Sequence, residues 1–176
     1  MIVPALIQVY TGNGKGKTTA ALGLALRAAG RGHHTYMAQF LKQGDYGEHL
    51  IVRRALGEWL RIEQFGLPGF HHQEHGVAPA EVAAAEAGLA AVEREFAQRW
   101  ADLVILDEVN TLLHFGIVPE NRVLALLDRR PEGVELVLTG RYAPAAIIAR
   151  ADLVTEMTEV RHPYQRGIPA RDGIER

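Results

Sequence analysis

Apolar and polar positions divide the 176-residue chain into two kinds of segment that alternate. Short, nearly unbroken apolar runs stand at Ala5–Tyr10 (ALIQVY), His34–Phe40 (HTYMAQF), Leu60–Phe65 (LRIEQF), Asp102–Leu106 (DLVIL) and Val134–Thr139 (VELVLT). Each reads as a strand, and Asp152–Thr158 reads as an edge strand. Between them, Lys17–Ala29, Gly47–Leu56, Pro79–Trp100, Glu120–Arg129 and Pro144–Ala149 have helical composition. Gly30 and Gly32 close the first helix, and proline followed by acidic residues opens the long one. Strands apolar on both faces and interleaved with helices predict an α/β three-layer sandwich around a mostly parallel sheet. The glycine- and histidine-rich stretch Gly66–Ala78 predicts a loop.

One junction in this pattern carries chemistry. After the first strand the chain reads TGNGKGKTT, from Thr11 to Thr19. Glycines at 12, 14 and 16 let backbone N–H groups turn onto an oxyanion, and the helix that follows adds its positive N-terminal end. Lys17 is positioned to bridge phosphate oxygens, and the Thr18 hydroxyl to hold a divalent metal. The usual G-x-x-x-x-G-K-[ST] pattern would start with glycine, where this chain has Thr11.

A second junction, VILDE from Val104 to Glu108, ends an apolar strand in two carboxylates. Such a strand end supplies a carboxylate to a metal shell beside a phosphate loop, here Asp107 or Glu108. Glu108 is alternatively a general base that activates water. Parallel sheets bind ligands at the carboxyl ends of their strands, where both junctions lie.

Composition narrows the classes. Nineteen basic residues face 21 acidic ones, which argues against a nucleic-acid surface. There is no cysteine, hence no disulfide or thiolate metal site. No run reaches the roughly 20 apolar residues of a membrane span, and Met1-Ile-Val-Pro carries no basic leader. The expectation is one cytoplasmic domain over residues 1–176 that contacts neither nucleic acid nor membrane.

Several short motifs occur in a fixed order: TGNGKGKTTAALG, FLK at Phe40–Lys42, GE at Gly47-Glu48, LDEV at Leu106–Val109, LTGR at Leu138–Arg141, ADLVTEM at Ala151–Met157 and RHPYQRGIPARDGIE. In this order they resemble the CobA/CobO/BtuR family of ATP:corrinoid adenosyltransferases. The resemblance spans nearly the whole chain, and in it Thr11 belongs to the loop pattern. It implies a P-loop NTPase fold of the RecA-like kind and transfer of 5′-deoxyadenosyl from ATP to Co(I) of a reduced corrinoid, with release of tripolyphosphate. ATP then lies in Thr11, Gly12, Asn13, Gly14, Lys15, Gly16, Lys17, Thr18 and Thr19, its triphosphate reversed. Arg27 is a further candidate contact, or else a solvated helix residue. Thr18, Glu108 and Asp107 are the candidate ligands of Mg²⁺ or Mn²⁺, and Lys17, Thr18 and Glu108 are the candidate catalytic set. Phe70 and His72 are implied on the corrinoid side, where relatives often have tryptophan in place of His72. A homodimer and an electron-donor flavoprotein are the implied partners.

Two other classes compete: a phosphate-loop ATPase or kinase with Glu108 as base, and a non-catalytic binder of nucleotide or corrinoid. The run Phe70-His71-His72-Gln73-Glu74-His75 offers three imidazoles and a carboxylate. Its spacing in a glycine-rich loop does not match the i, i+4 helical arrangement of zinc enzymes.

Overall fold

The computed structural model describes residues 1–68 and 76–175. Its sheet has six strands: β1 (Ile7–Thr11), β2 (Thr35–Phe40), β3 (Leu60–Phe65), β4 (Leu103–Asp107), β5 (Glu135–Thr139) and β6 (Leu153–Glu156). They lie in the order β3-β2-β4-β5-β1-β6, and every neighbouring pair is parallel. The helices are α1 (Lys17–Ala29), α2 (Gly47–Ile51), α3 (Pro79–Gln98), α4 (Val109–His114), α5 (Glu120–Asp128) and α6 (Ala145–Arg150). Among the described residues, no helix is long and apolar enough to cross a membrane.

Alternation along β4 divides the core. Leu103 and Ile105 point to the face covered by Ala21, Ala25 and Ala28 of α1, while Val104 and Leu106 meet Leu89 and Val92 of α3, Val123 and Leu126 of α5 and Ile147 of α6. Period-2 side chains on a strand buried from both sides explain the unbroken apolar runs of β2, β4 and β5. By contrast β6 is exposed along its whole length, as an edge strand should be.

Small residues set the layer spacing. Gly88 lies inside α3, where glycine costs a helix about 1 kcal/mol relative to alanine. A Cβ there would stand 2.4 Å from Phe40 Cε1 and 2.8 Å from Phe65 Cγ, so the glycine lets α3 close over this aromatic pair.

Local departures from the predicted elements have physical causes. The helix predicted over Gly47–Leu56 holds α-helical bonding only to Ile51 and widens to a π-helical turn over Val52–Leu56. α4 was not predicted: five of its six residues are buried, so it shows no amphipathic period. The long helix stops at Gln98, because Arg99 takes a left-handed conformation (φ 54°) and turns the chain toward β4.

Candidate active site at the carboxyl end of the sheet

β1 ends at Thr11, and the chain crosses to α1 through Gly12–Gly16. The Thr11 hydroxyl accepts a hydrogen bond from the Ala143 N–H at 3.2 Å, and its carbonyl accepts one from Met157 at 2.9 Å. Threonine thus ties the loop's departure point to the segments that follow β5 and β6. The glycines lie directly on the second of these. A Cβ on Gly12 would stand 2.5 Å from the Met157 carbonyl oxygen, and one on Gly14 would stand 2.7 Å from it. Gly12 and Gly16 also hold φ of 92° and 125°, which side chains resist. The Gly14 N–H donates to Met157 O at 2.7 Å, so this loop amide is already paired.

Lys17 is buried and folds back on its own loop, donating to the carbonyls of Gly12 at 2.7 Å and Gly14 at 2.8 Å. Burial first, and then the cations Arg141 and Lys42, push its ammonium below the usual lysine value against the pull of Glu108 and Asp107.

Asp107 ends β4 with its side chain fully buried. Its Oδ1 accepts from Thr18 Oγ1 at 2.8 Å and Thr139 Oγ1 at 2.6 Å, while Oδ2 accepts from Lys42 Nζ at 2.6 Å and Gln39 Nε2 at 3.3 Å. Four donors fill the roughly four lone-pair positions of a carboxylate. Burial alone would lower the Lys42 ammonium, but Asp107, followed by Glu108 and Glu48, outweighs it, so Lys42 is held above its usual value. Gln39 also donates to Glu48 at 3.1 Å, and its oxygen faces His49 Nε2 at 2.8 Å. That pattern assigns the His49 proton to Nε2.

Glu108 takes a left-handed conformation (φ 66°) at the start of α4. Its carboxylate accepts from Thr111 Oγ1 at 2.6 Å, and the same threonine oxygen accepts from the Arg141 N–H at 3.1 Å. Gly140 (φ 128°) permits this approach, since a Cβ there would stand 2.8 Å from Thr111 N and Oγ1.

These groups open onto a cleft of about 1030 Å³. Gly14 to Thr19, Lys42, Glu48, Glu108 and Arg141 line its polar side, while Leu41, Phe65, Leu112, Phe115 and Ile117 form an apolar wall. The structure therefore brings together Gly14, Lys15, Gly16, Lys17, Thr18, Thr19 and Glu108, with Asp107 buried directly behind Thr18. Thr11, Gly12, Asn13 and Arg27 do not line this cleft. Thr11 is turned to Ala143, Asn13 is exposed on the loop crest, and Arg27 is exposed in the last turn of α1. Arg27 lies nine positions along the helix from Thr18, about 14 Å of axial rise. Phe70, His72 and the whole histidine run fall outside the described residues. Among the described residues, no cluster of three or more His, Asp or Glu could hold a metal.

Sequence reasoning gave no role to Lys42, Thr139 or Arg141, although FLK and LTGR carry them. Gln39 and His49 had no local signal at all.

A family model described as ATP:corrinoid adenosyltransferase BtuR/CobO/CobP matches residues 4–176. A corrinoid adenosyltransferase of Pseudomonas aeruginosa is 36% identical over 97% of this chain and 83% of its own length. Corrinoid adenosyltransferase CobA of Salmonella typhimurium is 35% identical, and the Escherichia coli K12 corrinoid adenosyltransferase 34%, each over 97% of this chain and 85% of the relative. Among solved structures, the flagellar accessory protein FlaH of Methanocaldococcus jannaschii superposes with a TM-score of 0.56 over 86% of this chain and 70% of that one. At 16% identity this likeness shows the fold alone. Taken with the phosphate loop and the Asp107–Glu108 strand end on one cleft, the match over nearly the full length places the chain in the ATP:corrinoid adenosyltransferase family of enzymes.

Proposed function

We propose that the protein transfers the 5′-deoxyadenosyl group of ATP to Co(I) of a reduced corrinoid and releases tripolyphosphate. The observation that carries this reading is the shared cleft: one wall is the phosphate loop, the other is apolar, and the volume is about 1030 Å³. That is at the upper end of ordinary ligand pockets, which suits a nucleotide beside a second large substrate.

In the proposed step the Co(I) lone pair attacks the ribose C5′ as the C5′–O bond breaks. Cobalt supplies both electrons of the new bond and becomes Co(III), and the triphosphate leaves with the pair of the broken bond. Because the attacking group arrives already nucleophilic, no activated serine or cysteine is needed. The protein's part is alignment and charge. Lys17 would leave the Gly12 and Gly14 carbonyls for the polyphosphate, and Arg141 faces the same space.

The Thr18 hydroxyl and the Asp107 and Glu108 carboxylates are hard oxygen donors of the type that suits Mg²⁺ or Mn²⁺. Bound there with the nucleotide, the ion would supply charge neutralisation on the leaving polyphosphate.

The test is product identity. Protein incubated with ATP, Mg²⁺ and borohydride-reduced cobalamin should yield the light-sensitive absorbance of a Co–C bond and one tripolyphosphate per bond formed. Release of ADP and orthophosphate, with or without corrinoid, would overturn the reading in favour of a phosphate-loop hydrolase with Glu108 as base.

A further inference from the structure

We infer that in the nucleotide-free protein the Lys42 ammonium holds the oxygen donors a divalent cation would use, so that the cation enters only together with a polyphosphate. This deepens the proposed function and rests on its reading of Thr18 and Asp107 as the cation's donors.

Three observations converge. First, Lys42 Nζ lies 2.6 Å from Asp107 Oδ2 and 3.1 Å from Thr18 Oγ1, so one ammonium touches both donors. Second, Asp107 is saturated by Thr18, Thr139, Gln39 and Lys42. A cation can reach it only if one of these leaves. Gln39 and Thr139 are fully buried strand residues. Lys42 has a flexible four-carbon stem that lets its charge move without the backbone.

Third, the backbone is constrained to aim Lys42 inward. Leu41 holds φ 57°, a costly conformation for a branched side chain. Its N–H donates to Phe65 O at 3.2 Å. The adjoining Gly66 fits against Lys42, and a Cβ there would stand 2.5 Å from Lys42 N and 2.7 Å from Lys42 O.

Charge completes the case. Lys15, Lys17, Lys42 and Arg141 line the cleft with Glu48, Glu81, Glu108 and Glu175, so cations and carboxylates offset one another and a bare divalent cation meets no net negative charge. A polyphosphate supplies that charge. It brings its own cation to Thr18 and Asp107 and offers Lys42 replacement oxygens, to which the ammonium swings while its Cα stays fixed.

The experiment is a titration with Mn²⁺ alone, reading free Mn²⁺ by electron paramagnetic resonance, on nucleotide-free wild type, Lys42→Met and Lys42→Arg. Lys42→Met should bind Mn²⁺ more tightly than wild type by roughly 5- to 150-fold, the usual range of coupled binding, and Lys42→Arg should resemble wild type. Adding tripolyphosphate should raise Mn²⁺ uptake by wild type, without the substitution, beyond what the same tripolyphosphate takes up in a protein-free control. In Lys42→Met, a further Asp107→Asn change should remove the gain. Equal Mn²⁺ affinity of wild type and Lys42→Met would overturn the inference. So would a gain that survives Asp107→Asn, or wild type that binds Mn²⁺ as well without tripolyphosphate as with it. Should Lys42→Met fail to fold by circular dichroism, Lys42→Gln takes its place. No turnover enters these readings, so a protein that forms no Co–C bond would sink the proposed function separately.

Discussion

Two aspartates mark the opposite ends of β4, and they are treated very differently. Asp102 stands just before the strand with its side chain 19% exposed, held by the Met1 ammonium, the His34 N–H at 3.1 Å and His33 Nδ1 at 3.5 Å. Asp107 closes the strand with 0% exposure and four donors, one of them a lysine. Backbone strain divides the same way. Leu41, Glu108 and Tyr142 hold positive φ just beyond β2, β4 and β5, all at the cleft. At the amino end the non-glycine exception is Arg99, which ends α3 in an ordinary left-handed cap. The amino end therefore leaves Asp102 partly exposed, whereas the carboxyl end gathers a buried, fully paired carboxylate and three left-handed non-glycine residues around the cleft.

That contrast can be broken experimentally. The largest effect should come from Lys17→Ala, which is expected to lower ATP-dependent turnover by about 10²–10³-fold, the range for loss of one transition-state donor. Steady-state rates compared with Asp102→Asn, which should keep wild-type activity, would check it. Next, Asp107→Ala should destabilise the fold by about 1–3 kcal/mol, because it leaves the Thr139 hydroxyl and Gln39 amide unpaired in the core and Lys42 beside them without its carboxylate. Urea unfolding would measure this, and adding Lys42→Met should restore part of the loss.

Gly66→Ala should cost about 1–3 kcal/mol by overpacking against the Lys42 backbone. It sharpens the comparison if activity falls further than stability. Asp102→Asn should be mildest, at most about 1 kcal/mol for an exposed pair. Burial alone would raise the Asp102 carboxyl, but the Met1 ammonium, the His34 N–H and His33 together hold it below the usual value. A lowered folded value means the pair stabilises above the unfolded carboxylate pKa, about 3.9, and that contribution is lost as pH falls through the folded one. Melting curves from pH 5 downward should accordingly be flatter in Asp102→Asn.

Much of this was legible in the chain because it is local. Strand β3 and helix α1 were bounded correctly by apolar runs and terminal glycines, and the phosphate loop announces itself by spacing. The role of Thr11 was not, since its hydroxyl meets Ala143 across the sheet. Nor were Lys42, Gln39 and Thr139, which converge on Asp107 only because β2, β4 and β5 lie side by side. Strand order is a non-local property, and no window of sequence contains it.

The support beneath the loop has a consequence for synthesis. Gly12 and Gly14 rest on Met157 and Thr158, and Gly14 is bonded to Met157. The grip is translated long before its floor. A ribosome-bound chain halted before Met157 should leave the loop unsupported and unable to retain nucleotide.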